Sequence, residues 1–143
     1  MIKRATIHDV AIVAEMAAKV WQSDAAALIG EFDEFLKDTE SAVFLCHESD
    51  KAVGFAQCQL RHDYVEGTET SPVGYLEGIF VEPEYRKQGY GRQLVAACEA
   101  WAKEQGCTEF ASDCLLENTQ SIQFHLRSGF EEANRIVCFT KRL

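Results

Sequence analysis

Residues 74–92 read Gly-Tyr-Leu-Glu-Gly-Ile-Phe-Val-Glu-Pro-Glu-Tyr-Arg-Lys-Gln-Gly-Tyr-Gly-Arg. The run Tyr75 to Val81 is rich in aromatic and β-branched residues and predicts a strand. Pro83 ends it, because proline donates no ladder hydrogen bond. Gly89 and Gly91 then open an amphipathic helix with Leu94, Val95, Cys98, Trp101 and Ala102 on one stripe, and Gly106 stops it. A strand, a glycine-bearing basic loop and a helix N-terminus together make a phosphate cradle. The first amides of a helix lack internal partners and point along the positive end of its dipole.

The flanking segments fix what kind of sheet this unit can join. Ile2 to Ala5 reads as a short strand. Asp9 is placed to cap a helix to about Gln22, with Val10, Val13, Ala14, Ala17 and Trp21 at helical spacing. A second helix is expected from about Ala25 to Lys37, weakened at Gly30. The period then changes. Ala42–His47 and Ala52–His62 predict a hairpin joined by Glu-Ser-Asp-Lys, and Asp63 to Pro72 is a polar loop. Cys107–Ser112 can return parallel to Tyr75–Val81 as a β-α-β unit. Asn118 or Thr119 caps a helix to Ser128, stopped by Gly129, and Phe130–Ala133 and Ile136–Lys141 read as closing strands. The expected architecture is an α/β mixed sheet, β-α-α-β-β-β-α-β-α-β-β, in one domain over residues 1–143.

Composition narrows the function classes. The formal net charge of −9 argues against nucleic-acid binding, which calls for a basic footprint, and suits a polycationic partner or plain solubility. No run approaches the roughly 20 apolar residues of a membrane span. His8 and Asp9 interrupt any signal-peptide core, so a cytoplasmic location and no membrane partner are expected. The six cysteines form no C-x-x-C pair, which predicts mostly buried thiols and no metal.

The segment Arg86-Lys87-Gln88-Gly89-Tyr90-Gly91 fits Arg/Gln-x-x-Gly-x-Gly/Ala. It lacks the Gly-Lys-Ser/Thr of a Walker loop and the third glycine of a dinucleotide fingerprint. Alone it also fits a structural turn. With its preceding strand, its following helix and the element order on both sides, it resembles motif A of the GCN5-related N-acetyltransferase superfamily. Further blocks resemble the aminoglycoside 6′-N-acetyltransferases within it: Arg-His-Asp-Tyr-Val (61–65), Ser-Pro-Val (71–73), Leu-Glu-Gly-Ile-Phe-Val (76–81), Ala-Ser-Asp (111–113), Glu-Asn-Thr (117–119) and Gly-Phe-Glu-Glu (129–132), with Val20-Trp21 a weaker match upstream.

The resemblance implies acetyl-coenzyme A (acetyl-CoA) as co-substrate, direct attack by the 6′-amine of an aminoglycoside, and antibiotic resistance as the outcome. Relatives are often dimeric, so a homodimer is expected. Ile79, Phe80 and Val81 would pair with the pantetheine arm, a backbone N–H near Phe80 or Val81 would meet the oxyanion, and the amides from Lys87 to Arg92, with the Arg86, Lys87 and Arg92 side chains, would hold the pyrophosphate. Asn118 would bond the cofactor arm or simply cap its helix.

Glu77 is a charge in an apolar strand: either a salt bridge or a substrate contact and base, its pKa lifted by partial burial. Asp113 ends the neighbouring strand, and the resemblance assigns both carboxylates to the acceptor. Trp21 and Tyr64 match cleft positions, although core packing also explains Trp21, and Asp24 lies nearby. Asn134 stands where the resemblance leads one to expect an acidic contact. His125 replaces a frequent tyrosine, as general acid for the leaving thiolate or as a packed histidine. Two alternatives remain at this point: the same chemistry on a polyamine or protein amine, and a non-catalytic acyl-CoA sensor.

Overall fold

The computed structural model describes all residues from Met1 to Leu143. Its sheet is built from β1 (Ile2–Arg4), β2 (Ser41–Glu48), β3 (Lys51–Arg61), β4 (Val73–Val81) and β5 (Phe110–Ser112), side by side in that order. All neighbours are antiparallel except β4 and β5, which are parallel. The parallel pair is joined by α3 (Tyr90–Glu104), as a β-α-β unit demands. The helices α1 (Val10–Trp21) and α2 (Ala25–Lys37) precede β2, and α4 (Thr119–Arg127) follows β5.

Residue alternation on the strands sorts the core into two layers. From β2, Ala42 and Cys46 join Leu94, Val95, Cys98 and Trp101 of α3 on one face. Val43 and Leu45 join Val13, Ala17, Leu28 and Phe32 of α1 and α2 on the other. Both sheet faces are thus covered, which explains why the middle strands read as nearly continuous apolar runs.

Local chemistry sets several boundaries. Asp9 does not cap α1 directly; Thr6 and Asp9 form a reciprocal capping box around a 3-10 turn ahead of it. Gly30 does not break α2, which is continuous. Gly106, at φ +92°, ends the α3 turn as expected. β5 is shorter than predicted, starting at Phe110 rather than Cys107.

The larger departure is at the C-terminus. Phe130–Ala133 and Ile136–Lys141 form no strands. Residues 131–143 are exposed throughout, and Ile136, Val137 and Phe139 are 69%, 77% and 89% exposed. A strand needs a partner edge to satisfy its backbone, and this segment pairs with none in its own chain. No helix is long and apolar enough to cross a membrane.

Candidate active site

The middle of β4 changes register. Gln57 faces Gly78 and Cys58 faces Leu76, so Glu77 has no residue opposite and forms a β-bulge. On the other edge, β4 pairs with β5 only at Gly74, Tyr75 and Leu76. From Glu77 onward the two strands part, and the β4 edge through Val81 lies open. Glu82 N–H donates to Val53 C=O (2.8 Å), so the ladder's alternation turns the Ile79 and Val81 amides to the open edge and that of Phe80 inward. Of the two amides expected near the oxyanion, only that of Val81 therefore faces the gap. Arg86 braces this end: its Nε donates to Val81 C=O at 2.7 Å.

The loop after β4 has the backbone of an anion cradle. Lys87 (φ +63°) and Gly89 (φ +88°) adopt left-handed conformations that turn successive amides toward one side. The first amide to bond back into the helix is that of Gln93, to Gly89 C=O at 3.1 Å. The amides of residues 87–92 have no acceptor in the chain, so six donors from Lys87, Gln88, Gly89, Tyr90, Gly91 and Arg92 are free at a helix N-terminus, where an anion is favoured. Gly91 allows close helix packing, since a Cβ there would sit 2.7 Å from the Phe124 ring of α4. The Tyr90 hydroxyl is engaged with Glu48.

Around Glu77 the polar side chains of β3 and β4 bond to one another. Both oxygens of Glu77 are bonded: Arg61 Nε donates to Oε2 (2.9 Å), Arg61 Nη2 to Oε1 (2.8 Å), and Gln59 Nε2 also to Oε2. The sequence left a salt bridge as the alternative for Glu77, and that ion pair is present. The Arg61 guanidinium stacks 3.5 Å over the Tyr75 ring, and the Tyr75 hydroxyl donates to Asp113 Oδ2. Burial, then the Asp113 hydrogen bond, pushes the Tyr75 hydroxyl well above its ordinary range. One connected network therefore links Glu77 to Asp113. Gln59, Arg61 and Tyr75 were not singled out as site residues in the sequence; the unexplained polar residues on an otherwise apolar β3 were the available signal.

Trp21 lies against Gly78, where a Cβ would meet its ring at 2.7 Å, and packs on Phe32 and Phe55. It is 41% exposed, so core packing and an open face occur together. Asp24 is occupied as the N-cap of α2, accepting from Ala26 N–H at 3.2 Å. Arg61, Tyr64, Tyr75, Asp113, His125 and Asn134 line one cleft of about 930 Å³. Asn134 Nδ2 donates to Glu66 Oε1 at 2.8 Å across it. A second cavity of about 880 Å³, between α1 and the β2–β3 hairpin, touches none of the predicted site residues.

His125 is closed on its own chain. Its Nδ1 lies 2.7 Å from Ser121 C=O, which only accepts, so Nδ1 carries a hydrogen. Its Nε2 is 2.7 Å from the Ser112 hydroxyl. Asn118 Oδ1 accepts from Ser121 N–H at 3.1 Å, so its capping role is met. No group of three or more His, Cys, Asp or Glu residues could hold a metal ion.

A strand that leaves its parallel neighbour at a bulge, beside a loop of unpartnered amides, is the frame of an acyl-CoA-dependent transferase, and comparison with known proteins agrees. The family model "Acetyltransferase (GNAT) family" matches residues 8–130. The aminoglycoside N(6')-acetyltransferase type 1 of Stenotrophomonas maltophilia is 46% identical over 139 residues, 96% of this chain and 90% of that protein. The solved aminoglycoside antibiotic 6'-N-acetyltransferase AAC(6')-IG from Acinetobacter haemolyticus superposes with a TM-score of 0.94 at 36% identity, covering 100% of this chain and 99% of that one. AAC(6')-Iy in complex with the bisubstrate analogue CoA-S-monomethyl-acetylneamine superposes with a TM-score of 0.95 at 36% identity, covering 100% and 98%. The chain belongs to the acetyltransferase (GNAT) family.

Proposed function

We propose that this chain transfers the acetyl group of acetyl-CoA to the 6′-amine of an aminoglycoside by direct attack. The observation that carries the reading is the bulge at Glu77. It sets the acceptor-facing carboxylate one residue away from the point where β4 leaves β5 and offers its free edge. The relatives named above are aminoglycoside N(6')-acetyltransferases, and one is solved with an analogue joining CoA to acetylneamine.

The residues divide the work along one strand. Ile79 and Val81 offer backbone groups to a pantetheine arm, while the amides of 87–92, with the Lys87 and Arg92 side chains, receive a pyrophosphate. Bound there, acetyl-CoA supplies an activated acyl thioester. The outward amide of Val81 suits charge developing on the carbonyl oxygen under attack. Glu77 and Asp113 hold the acceptor's ammonium groups, and Trp21, Tyr64 and Asn134 line the approach, with Asp24 at its margin. Glu77 orients the amine, whose proton leaves through water near this carboxylate. When protonated at both ring nitrogens, His125 passes its Nε2 proton to the Ser112 hydroxyl, which gives its own proton to the leaving thiolate and leaves the ring neutral with Nδ1–H on Ser121 C=O. The amide formed carries no charge at neutral pH, and resistance follows as the antibiotic loses a cation.

A second copy of the chain completes the assembly. The arm 131–143 carries exposed Ile136, Val137 and Phe139, and the outer edge of β5 has no strand beside it. Pairing the arm with a partner subunit would cover both in a homodimer. Six free cysteines suit a reducing compartment, and the cytoplasm is the location proposed.

The test is thiol release from acetyl-CoA with kanamycin or tobramycin as acceptor. Turnover with these, at a kcat/KM well above that with spermidine or a histone peptide, is expected. Absence of turnover with any aminoglycoside overturns the reading.

A further inference from the structure

We infer that Arg61 is the positioning residue of the acceptor site, a guanidinium that fixes the orientation of both carboxylates facing the amine. The inference rests on the acetyl-transfer reading above. Glu77 is the bulge residue, so no cross-strand neighbour directly opposite sets its direction. Arg61 does so instead, through a two-pronged contact at 2.9 and 2.8 Å, with Gln59 as a third donor. The same planar group lies flat on Tyr75 at 3.5 Å, and the Tyr75 hydroxyl holds Asp113. A single cation thereby aims Glu77 directly and Asp113 through the ring between them.

Stability alone does not account for this arrangement. The Arg61 side chain is 39% exposed, and a partly exposed ion pair contributes little to folding. What the fork supplies is direction. A carboxylate has about four lone-pair positions, and three donors leave roughly one, fixed in space, for an incoming N–H. Lysine would keep the charge but lose both the fork and the stacking. The Glu77 hydrogen bond, above all, raises the pKa of Arg61 beyond its ordinary value, so the guanidinium stays charged throughout the working range.

The experiment compares wild type, Arg61→Lys, Glu77→Gln and the double variant by steady-state kinetics, with acetyl-CoA affinity measured separately by calorimetry as the check on folding. In Arg61→Lys the aminoglycoside KM should rise about tenfold, the equivalent of one lost charge-assisted hydrogen bond, with kcat and the acetyl-CoA affinity little changed. In the Glu77→Gln background the same substitution should add distinctly less than it does in wild type, because only Asp113 is then left for Arg61 to aim. Arg61→Gln serves in the same cycle where Arg61→Lys fails to bind acetyl-CoA. An unchanged aminoglycoside KM, or full additivity with Glu77→Gln, overturns the inference. A fall in that KM also overturns it, since Arg61 would then be competing with the acceptor for the carboxylates. A wild-type enzyme that turns over no aminoglycoside sinks the functional reading itself, whereas normal wild-type turnover with an indifferent Arg61 sinks only this inference.

Discussion

Glu77 meets three hydrogen-bond donors on two oxygens, yet its side chain remains 16% exposed at the edge of the opening between β4 and β5. A charge so placed is oriented rather than buried, and an oriented anion beside a reacting amine acts in binding and in the transition state alike. Replacing Glu77 with Gln should lower kcat/KM for the aminoglycoside by about a hundredfold, with acetyl-CoA affinity preserved. Parallel kinetics with each substrate varied in turn would read this directly. Tyr75 and the buried thiols of Cys46, Cys98 and Cys107 add a pH signature. Burial is the main cause for Tyr75, Cys46 and Cys107, and contact with Cys58 for Cys98, and all four hold their protons more tightly than usual. Because these folded-state values lie above the unfolded ones, their stabilisation is intact below about pH 9 and is lost as pH rises beyond it. Thermal melts should show a falling midpoint between about pH 9 and 11. Tyr75→Phe should make the upper part of that decline shallower.

At the scale of elements, two glycines separate the two halves of the site. Gly91 lets the N-terminus of α3 close on Phe124, and a methyl group there would meet the ring at 2.7 Å. Gly91→Ala should displace the start of α3 and weaken acetyl-CoA binding about tenfold or more, measured by calorimetry. Gly78→Ala should act oppositely, pushing Trp21 off β4 and raising the aminoglycoside KM while sparing acetyl-CoA affinity. The cofactor half was legible in the sequence because it is local. A strand, Pro83, two glycines and an amphipathic helix lie in consecutive residues, and backbone amides need no distant partner to define them. The acceptor half was legible only in part. Glu77 and Asp113 stood out as charges on strands, but the bulge, the Arg61 fork and the stacked Tyr75 depend on the register of β3 against β4, which no spacing rule in the sequence encodes. His125 shows the same limit: its position was evident, whereas its closure on Ser121 and Ser112 depends on how α4 packs over β5.

For the whole molecule, the point left open by a single chain is the arm after Phe130. Its residues have strand-forming side chains, as the sequence indicated, but strand formation requires an edge, and a second copy is the edge proposed. Sedimentation equilibrium should give a dimer for residues 1–143 and a monomer when residues 131–143 are removed. A monomer for both would rule out pairing through the arm. Cofactor and acceptor are proposed to meet along β4, with the acyl group delivered to one particular amine. The most direct measurement is NMR of the product formed from kanamycin and acetyl-CoA labelled with ¹³C in the acetyl group. A single amide at the 6′-nitrogen is expected, formed far more slowly by Glu77→Gln. Acetylation at another nitrogen, a mixture of positions, or equal rates for the two proteins would contradict it.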